Sequence, residues 1–338
     1  MTENQKNISD VTYPELLNVS PSPHIKNSDT TASVMLRVII ALIPACIWGV
    51  YRFGARAGLI LLLSTASAVL FEWAYQMLMK KKVAVGDLSA ALTGLLIGMN
   101  LPAAAPLWLG IVGSFFAVIV VKGLFGGIGK NIVNPALAAR VFMFAWPTEM
   151  GLFPKAGERI NDLSVNLSGA DAIAGATPLA SLGAGKLPED VSLFDMIIGN
   201  TGGCIGEISA VLLILGGIYL LITKVITWHI PVAFIGTVAL VAFFFPHGEM
   251  AGIDSMLCHL FSGGLLLGAF FMATDYVTSP VTAKGQIIYG VGCGLITIFI
   301  RYFGGYPEGV SFSILIMNLV SGYIDKVTMP KRFGGGKS

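Results

Sequence analysis

In the stretch "DAIAGATPLASLGAGKLPED" (171–190), Thr177 has a side chain placed for chemistry: Gly175 and Ala176 precede it, Pro178 follows, and Asp171 lies six residues upstream. Small neighbours leave the hydroxyl uncovered. A carboxylate on the same loop could orient it, activate it, or help hold a metal used by a modifying enzyme. No local histidine supplies a base, so a Ser-His-Asp arrangement is excluded. On residue types alone, a Thr-Pro in a loop is most often a turn, and both readings stand at this point. A second stretch, "GNTGGCIGE" (199–207), is a Gly-rich turn ahead of an apolar run. Backbone N–H groups in such a turn cradle phosphate, which makes Asn200, Thr201, Gly202 and Gly203 candidate contacts. There is no Walker lysine and no G-x-G-x-x-G motif after a strand, so a nucleotide-hydrolysing or Rossmann domain is excluded.

Charged residues inside apolar runs form the third group. Glu72 sits in "LFEWAYQ", Asp275 in "FFMATDYVTSP" and Glu308 in "GGYPEGVSF"; Lys130, Arg140 and Glu207 occupy similar places. Ionisable groups at such positions need a reason. A hard cation such as Na⁺ takes carboxylate, hydroxyl and free carbonyl oxygens together, and the helix breaks here offer all three. Glu72, Asp275 and Glu308 are therefore candidates for an ion path. The alternative, that they cap helix ends or form ion pairs, remains open. Cys46, Cys204, Cys258 and Cys293 are widely spaced without C-x-x-C, which argues against a zinc or iron–sulfur centre built by this chain alone. They read as small buried apolar residues, with a thiolate shared with a partner chain left open. His24, His229, His247 and His259 lack metal-ligand spacing, so no metal site is expected.

The elements that must position these residues are membrane helices. Hydrophobic residues make up 55% of the chain and charged residues 12%, with a mean hydropathy of +0.78. A soluble domain carries about 25% charged residues. Repeated apolar runs are long enough to cross a core of roughly 30 Å as helices, and no alternation of the barrel type is present. The expected fold is an all-α integral membrane protein of about ten transmembrane helices. They lie near 35–53, 57–79, 88–101, 107–124, 135–147, 207–223, 228–245, 255–273, 285–303 and 312–325. The third and fifth are short, and roughly 21 Å of rise for fourteen residues marks them as broken or half-spanning. The net charge of +2 is scattered among loops and points to no nucleic-acid partner. The first 34 residues are polar and lead into a run long enough to span, so a cleavable signal peptide is not expected.

Lysine and arginine set the orientation. With the N-terminus in the cytoplasm, the inner side holds Lys6, Lys26, Lys80, Lys81, Lys82, Lys130, Lys224, Lys284, Lys326, Lys331, Arg332 and Lys337. The outer side holds Arg52, Arg56, Lys155, Arg159 and Lys186. Both termini are then cytoplasmic and the Thr177 segment is external. The expected division is a cytoplasmic N-terminal segment (1–34), a first membrane repeat (35–147), an external loop (148–206), a second membrane repeat (207–325) and a cytoplasmic tail (326–338). The two repeats rest on "GLLIGM" (94–99) against "GLLLGA" (264–269), and on "LFGGIGKNIVNPALAARVF" (124–142) against "YFGGYPEGVSFSILIMNLV" (302–320). Five spans per half place the halves in opposite orientation, giving two inverted five-helix repeats as in many transporters.

"DAIAGATPLA" (171–180) resembles the flavin-attachment sequence of the RnfD/NqrB family, the membrane family containing the D subunit of the Rnf complex and the B subunit of the sodium-pumping NADH:quinone reductase. The likeness continues through "SPHIKNSDTTASVMLRVIIALIPACIWGVYRFG" (22–54), "NPALAARVF" (134–142), "GEISA" (206–210), "MATDYVTSPVTAKG" (272–285) and "RYFGGYPEGVSFSILIMN" (301–318). The short polar lead into "SPHI" is similar to that of the Rnf D-subunit branch. One departure is Ala174, where the family often has Ser or Thr. The resemblance implies a component of an ion-translocating ferredoxin:NAD⁺ oxidoreductase in the bacterial inner membrane, pumping Na⁺ or H⁺ outward. It implies FMN joined through a phosphoester to Thr177 by a flavin transferase, with Asp171, Gly175 and Ala176 completing the attachment motif. A second, non-covalent flavin such as riboflavin is a further candidate cofactor. The implied partners are the membrane A and E subunits, the flavin-bearing G subunit, the iron–sulfur B and C subunits of the Rnf complex, and the lipid bilayer. Three other readings compete: the B subunit of a Na⁺-translocating NADH:quinone reductase, a stand-alone channel or secondary transporter, and a structural scaffold that merely positions partners.

Overall fold

The computed structural model describes residues 29–81, 83–164, 177–187, 191–248, 250–305 and 308–330. All regular structure among them is helical. Every described helix lies within the unit that begins at Thr31.

Helix α1 (Thr31–Phe53) shows how the apolar sequence sorts itself. Ala41, Leu42, Ala45, Gly49 and Phe53 are buried at helical spacing, while Leu36, Ile40, Ile43 and Ile47 stay exposed. Small residues on the packed side and branched aliphatics outside are what a helix in lipid requires. Gly54, with φ of 93°, makes the turn into α2 (Ala55–Leu78). Down one stripe of α2 run Ala57, Ile60, Ser64, Ala68, Glu72 and Gln76, all buried. The short α3 (Ser89–Met99) and then α4 (Leu107–Phe115) pack on that stripe. Close approach needs small residues: a Cβ at Gly94 of α3 would lie 2.7 Å from that of Ala68. α4 continues as a π-helical stretch, Phe116–Gly123, and α5 (Pro135–Met143) starts at Asn134, whose side chain caps it with Pro135 at the first position.

Between α3 and α4 the buried backbone of Leu101, Ala103 and Ala105 is irregular. Non-helical backbone at this depth survives only where protein satisfies it. Leu101 O accepts from Ile205 N at 3.0 Å and Met99 O from Gly206 N at 2.8 Å, so the Gly-rich stretch is drawn against the end of α3. Arg56, fully buried, donates to the carbonyls of Ala105, Asp162 and Ser164 and fixes the following segment over the α1–α2 corner. Among the described residues, three short helices follow: α6 (Pro147–Met150), α7 (Pro178–Gly183) and α8 (Leu193–Ile198).

The second half contains α9 (Ala210–Ile222), α10 (His229–Phe244), α11 (Gly252–Phe261), α12 (Leu265–Leu267, π-helical through Met272), α13 (Ala283–Phe303) and α14 (Val310–Thr328). Among the described residues, four helices, α1, α2, α13 and α14, are long and apolar enough to cross a membrane. The span expected to be continuous near 255–273 is instead two pieces bent by 62°, with the break at Ser262–Gly263–Gly264. Gly263 takes φ of 67°, a left-handed conformation that ends α11 there. One apolar core joins the halves, from Ala41 and Leu96 to Leu213, Phe271 and Ile314.

Candidate functional site

The break in α11–α12 and the Gly-rich turn before α9 face one small cavity of about 60 Å³. Thr177 lines it from the start of α7, Thr201, Gly202, Gly203 and Cys204 from the turn, and Arg140, Glu207 and Glu308 from the interior. Thr177 is the N-cap residue of α7, yet its side chain makes no capping bond, and the hydroxyl remains available. Among the described residues, the N–H groups of Thr201, Gly202 and Gly203 donate to no backbone carbonyl. The cavity therefore combines a free hydroxyl with backbone donors of the kind that bind phosphate.

Its inner wall is a set of buried charges. Arg140 Nη1 lies 2.6 Å from Glu207 Oε1, also donates to Asn100 Oδ1, and Nη2 reaches Cys204 Sγ at 3.6 Å. Glu308 Oε2 accepts from Gly264 N at 2.7 Å, and its other oxygen lies 4.0 Å from Arg301. Arg301 donates to His259 O and Ser262 O. The glycine pair at the helix break is needed here, because a Cβ on Gly263 would lie 2.5 Å from Glu308 Oε2 and one on Gly264 2.8 Å from Glu207 Oε1. Two cations and two carboxylates thus balance each other behind Thr177.

The described candidates picked from the sequence divide among four places. Thr177, Thr201, Gly202, Gly203 and Glu308 come together in this cavity. Asn200 turns away, accepting from Arg52 and donating to Asp195 Oδ1 at 3.1 Å. Hydrogen bonds from Ser192 and then Asn200 hold the Asp195 carboxyl below the usual carboxylate range. Asp171, Gly175 and Ala176 lie outside the described residues. Glu72 is far along α2, in a buried pair with Lys122 at 2.6 Å. Asp275 lines another cavity, of about 100 Å³, with Asn131, Asn134, Phe270 and Phe271, and accepts from Thr278 at 3.1 Å.

Sequence reasoning passes over Lys122, Arg301, Asn100 and Asn134. Asn134 in "NPALAARVF" carries a readable signal, since Asn before Pro starts a helix. Its second role, donating to Met272 O at 3.1 Å, appears only in the fold.

The profile of the NQR2, RnfD, RnfE family matches residues 18–334. The D subunit of the Na(+)-translocating ferredoxin:NAD(+) oxidoreductase complex of Acetobacterium woodii is 47% identical over 321 residues, covering 94% of this chain and 95% of that protein. The D subunit of the proton-translocating ferredoxin:NAD(+) oxidoreductase complex of Clostridium ljungdahlii is 42% identical over 330 residues, covering 94% and 96%. The D subunit of the ion-translocating oxidoreductase complex of Stutzerimonas stutzeri is 38% identical over 323 residues, covering 89% and 91%. A match of this extent on both sides leaves no large part of the chain unaccounted for: the chain belongs to the NQR2, RnfD, RnfE family.

Proposed function

We propose that this chain is the D subunit of an ion-translocating ferredoxin:NAD⁺ oxidoreductase, holding FMN by a phosphoester on Thr177 at the outer face of a bacterial cell membrane and contributing to the ion path. The observation that carries the reading is the uncapped Thr177 hydroxyl opening on the same cavity as Thr201, Gly202 and Gly203. These residues fit the group: the hydroxyl offers the ester oxygen, and neighbouring backbone N–H groups suit phosphate oxygens. Bound flavin supplies one- and two-electron chemistry. Arg140 and Arg301, balanced by Glu207 and Glu308, leave the cavity without a strong net field of either sign.

The proposal includes about ten crossing or half-crossing helices in two inverted five-helix repeats, both termini cytoplasmic and the Thr177 segment external. In its support, α2 packs on α3 and α4 as α10 packs on α11 and α13. Glycines of the fourth helix in each half serve those contacts, Gly110 against Ser64 and Gly294 against Thr237. A second flavin of the riboflavin type, bound non-covalently, is also proposed. The A, B, C, E and G subunits and a flavin transferase complete the proposed assembly. Glu72 and Asp275 remain the proposed ion-path carboxylates.

The test is in-gel fluorescence of the chain made together with its transferase, with intact mass as the second readout. The wild-type band is expected to fluoresce after denaturation and Thr177→Val to be dark. A dark wild-type band of unmodified mass would refute the attachment. For the ion path, E72Q and D275N in the assembled complex are expected to slow cation-dependent electron transfer.

A further inference from the structure

Lys122 is 4% exposed at the end of the π-helical stretch of α4, and the site around Thr177 makes no use of it. Its ammonium donates to Glu72 Oε1 at 2.6 Å and to Ser89 Oγ at 2.6 Å, and Ser89 donates onward to Asp87 Oδ1 at 2.6 Å. An ammonium has three donors, so these contacts leave one unspent. On the other side of the pair, Glu72 Oε2 is buried and has no hydrogen-bond partner among the described residues. A carboxylate oxygen left in that state is costly unless something cationic visits it.

Position gives the pair its meaning. Glu72, Asp87 and Lys122 line a cavity of about 190 Å³, and Lys122 also lines the cavity of about 100 Å³ that contains Asp275. Lys122 and Ile128 are the residues common to both walls. A lysine stem is long and flexible, and its ammonium is a compact point charge with rotatable donors. The widened π turn that carries it is a helix irregularity often found at functional sites.

We propose that Lys122 is a tethered cation that gates the ion path: it occupies the position on Glu72 that the transported Na⁺ or H⁺ must take, and vacates it by swinging toward the cavity lined by Asp275. The exchange conserves charge. One cation arrives at Glu72, one ammonium leaves it, and the departing ammonium meets a second carboxylate. This rests on the reading of Glu72 and Asp275 as ion-path residues and deepens it by naming the group that closes the path at rest.

The experiment uses the purified full-length chain in lipid vesicles without redox partners, with radioactive sodium uptake and a pH-sensitive dye as probes. Lys122→Gln is expected to raise passive flux of one of these cations about tenfold or more over wild type, since an uncompensated carboxylate then faces the path. Lys122→Arg is expected to stay closed, and E72Q/K122Q to lose the leak. Wild-type flux in a folded K122Q, or an equal leak in E72Q/K122Q, would overturn the proposal and leave the pair a structural one. Should K122Q not be recovered, Lys122→Met carries the test: it keeps an unbranched stem and removes the charge from Glu72, and a Glu72-dependent leak supports the gate while its absence overturns it. The parent reading fails separately, by unchanged ion dependence of both E72Q and D275N in the complex.

Discussion

Replacing Glu207 with Leu removes one charge from the pair behind Thr177 and leaves Arg140 cationic in a place where its side chain is 5% exposed. Arg140 Nη1 loses its contact at 2.6 Å and keeps only Asn100 on that nitrogen. A buried charge deprived of its partner costs about 3–5 kcal/mol, and Arg140→Met, which strands Glu207, belongs to the same range. The double change R140M/E207L removes both charges with little change in volume. What remains is the carbonyl oxygen of Asn100 without its donor, which costs about 1–3 kcal/mol. The double mutant is therefore expected to be more stable than either single one, with a coupling energy of about 3 kcal/mol or more. Thermal unfolding of the detergent-solubilised chain measures this. Each single change should lower Tm by roughly 10 °C, taking about 2–4 °C per kcal/mol. If the two single losses simply add in the double mutant, the charges do not depend on each other and the reasoning fails.

Other positions give sharper local tests. Gly263→Ala forces a side chain into a left-handed conformation and against Glu308; the φ cost alone is about 1–2 kcal/mol, read as a lower Tm. Gly236 in α10 is the control, since nothing lies within 4 Å of a Cβ there, and Gly236→Ala is expected to stabilise by about 0.5–1 kcal/mol. Asn134→Ala removes the cap of α5 and the donor to Met272 O, together about 2–3 kcal/mol, whereas Asn134→Asp keeps the cap but sets a buried carboxylate oxygen against Met272 O. Hydrogen exchange across α5 should separate the two: early-turn protection falls in the alanine variant and persists in the aspartate one.

Hydrophobic runs make the helices legible, because length and apolarity are local properties; α1, α2, α13 and α14 lie close to the spans expected from them. The shortness of α3 and α5 is readable for the same reason. Pairing is not. Lys122 stands near the end of its run and looks like a lysine reaching for the interface, while its partner Glu72 is fifty positions away and meets it only when α4 packs on α2. Glu308 reads as an ion ligand in the sequence, and its place in the Thr177 cavity depends on the glycine break in α11–α12, which an apolar run does not announce. Thr201, Gly202 and Gly203 are visible because a Gly-rich turn is a local signal, whereas the turning of Asn200 away toward Arg52 is a tertiary event that the turn itself does not reveal.

Between the cavity of Thr177 and that of Asp275 the interior is polar yet closed. Arg140 lines the first and Asn134 the second. Arg140 donates to Asn100, Asn100 Nδ2 lies 2.6 Å from Leu96 O and 3.9 Å from Met272 Sδ, and Asn134 donates to Met272 O. The end of the helix at Met272 accounts for part of this: a last-turn carbonyl has no donor within its own helix, and that of Met272 takes the side-chain amide of Asn134 instead. Asn100 and Met272 are 0% and 1% exposed, so protein atoms enclose both side chains between the cavities. An electron tunnels through such packing, whereas a hydrated cation needs it to part. On the proposed function that asymmetry is useful, because a packed interior favours the electron over the ion. Ion movement then requires rearrangement where the helices are already interrupted, at the π-helical ends of α4 and α12 and the glycine break before α12, and these are the segments that hold Lys122, Met272 and Glu308 together with their partners.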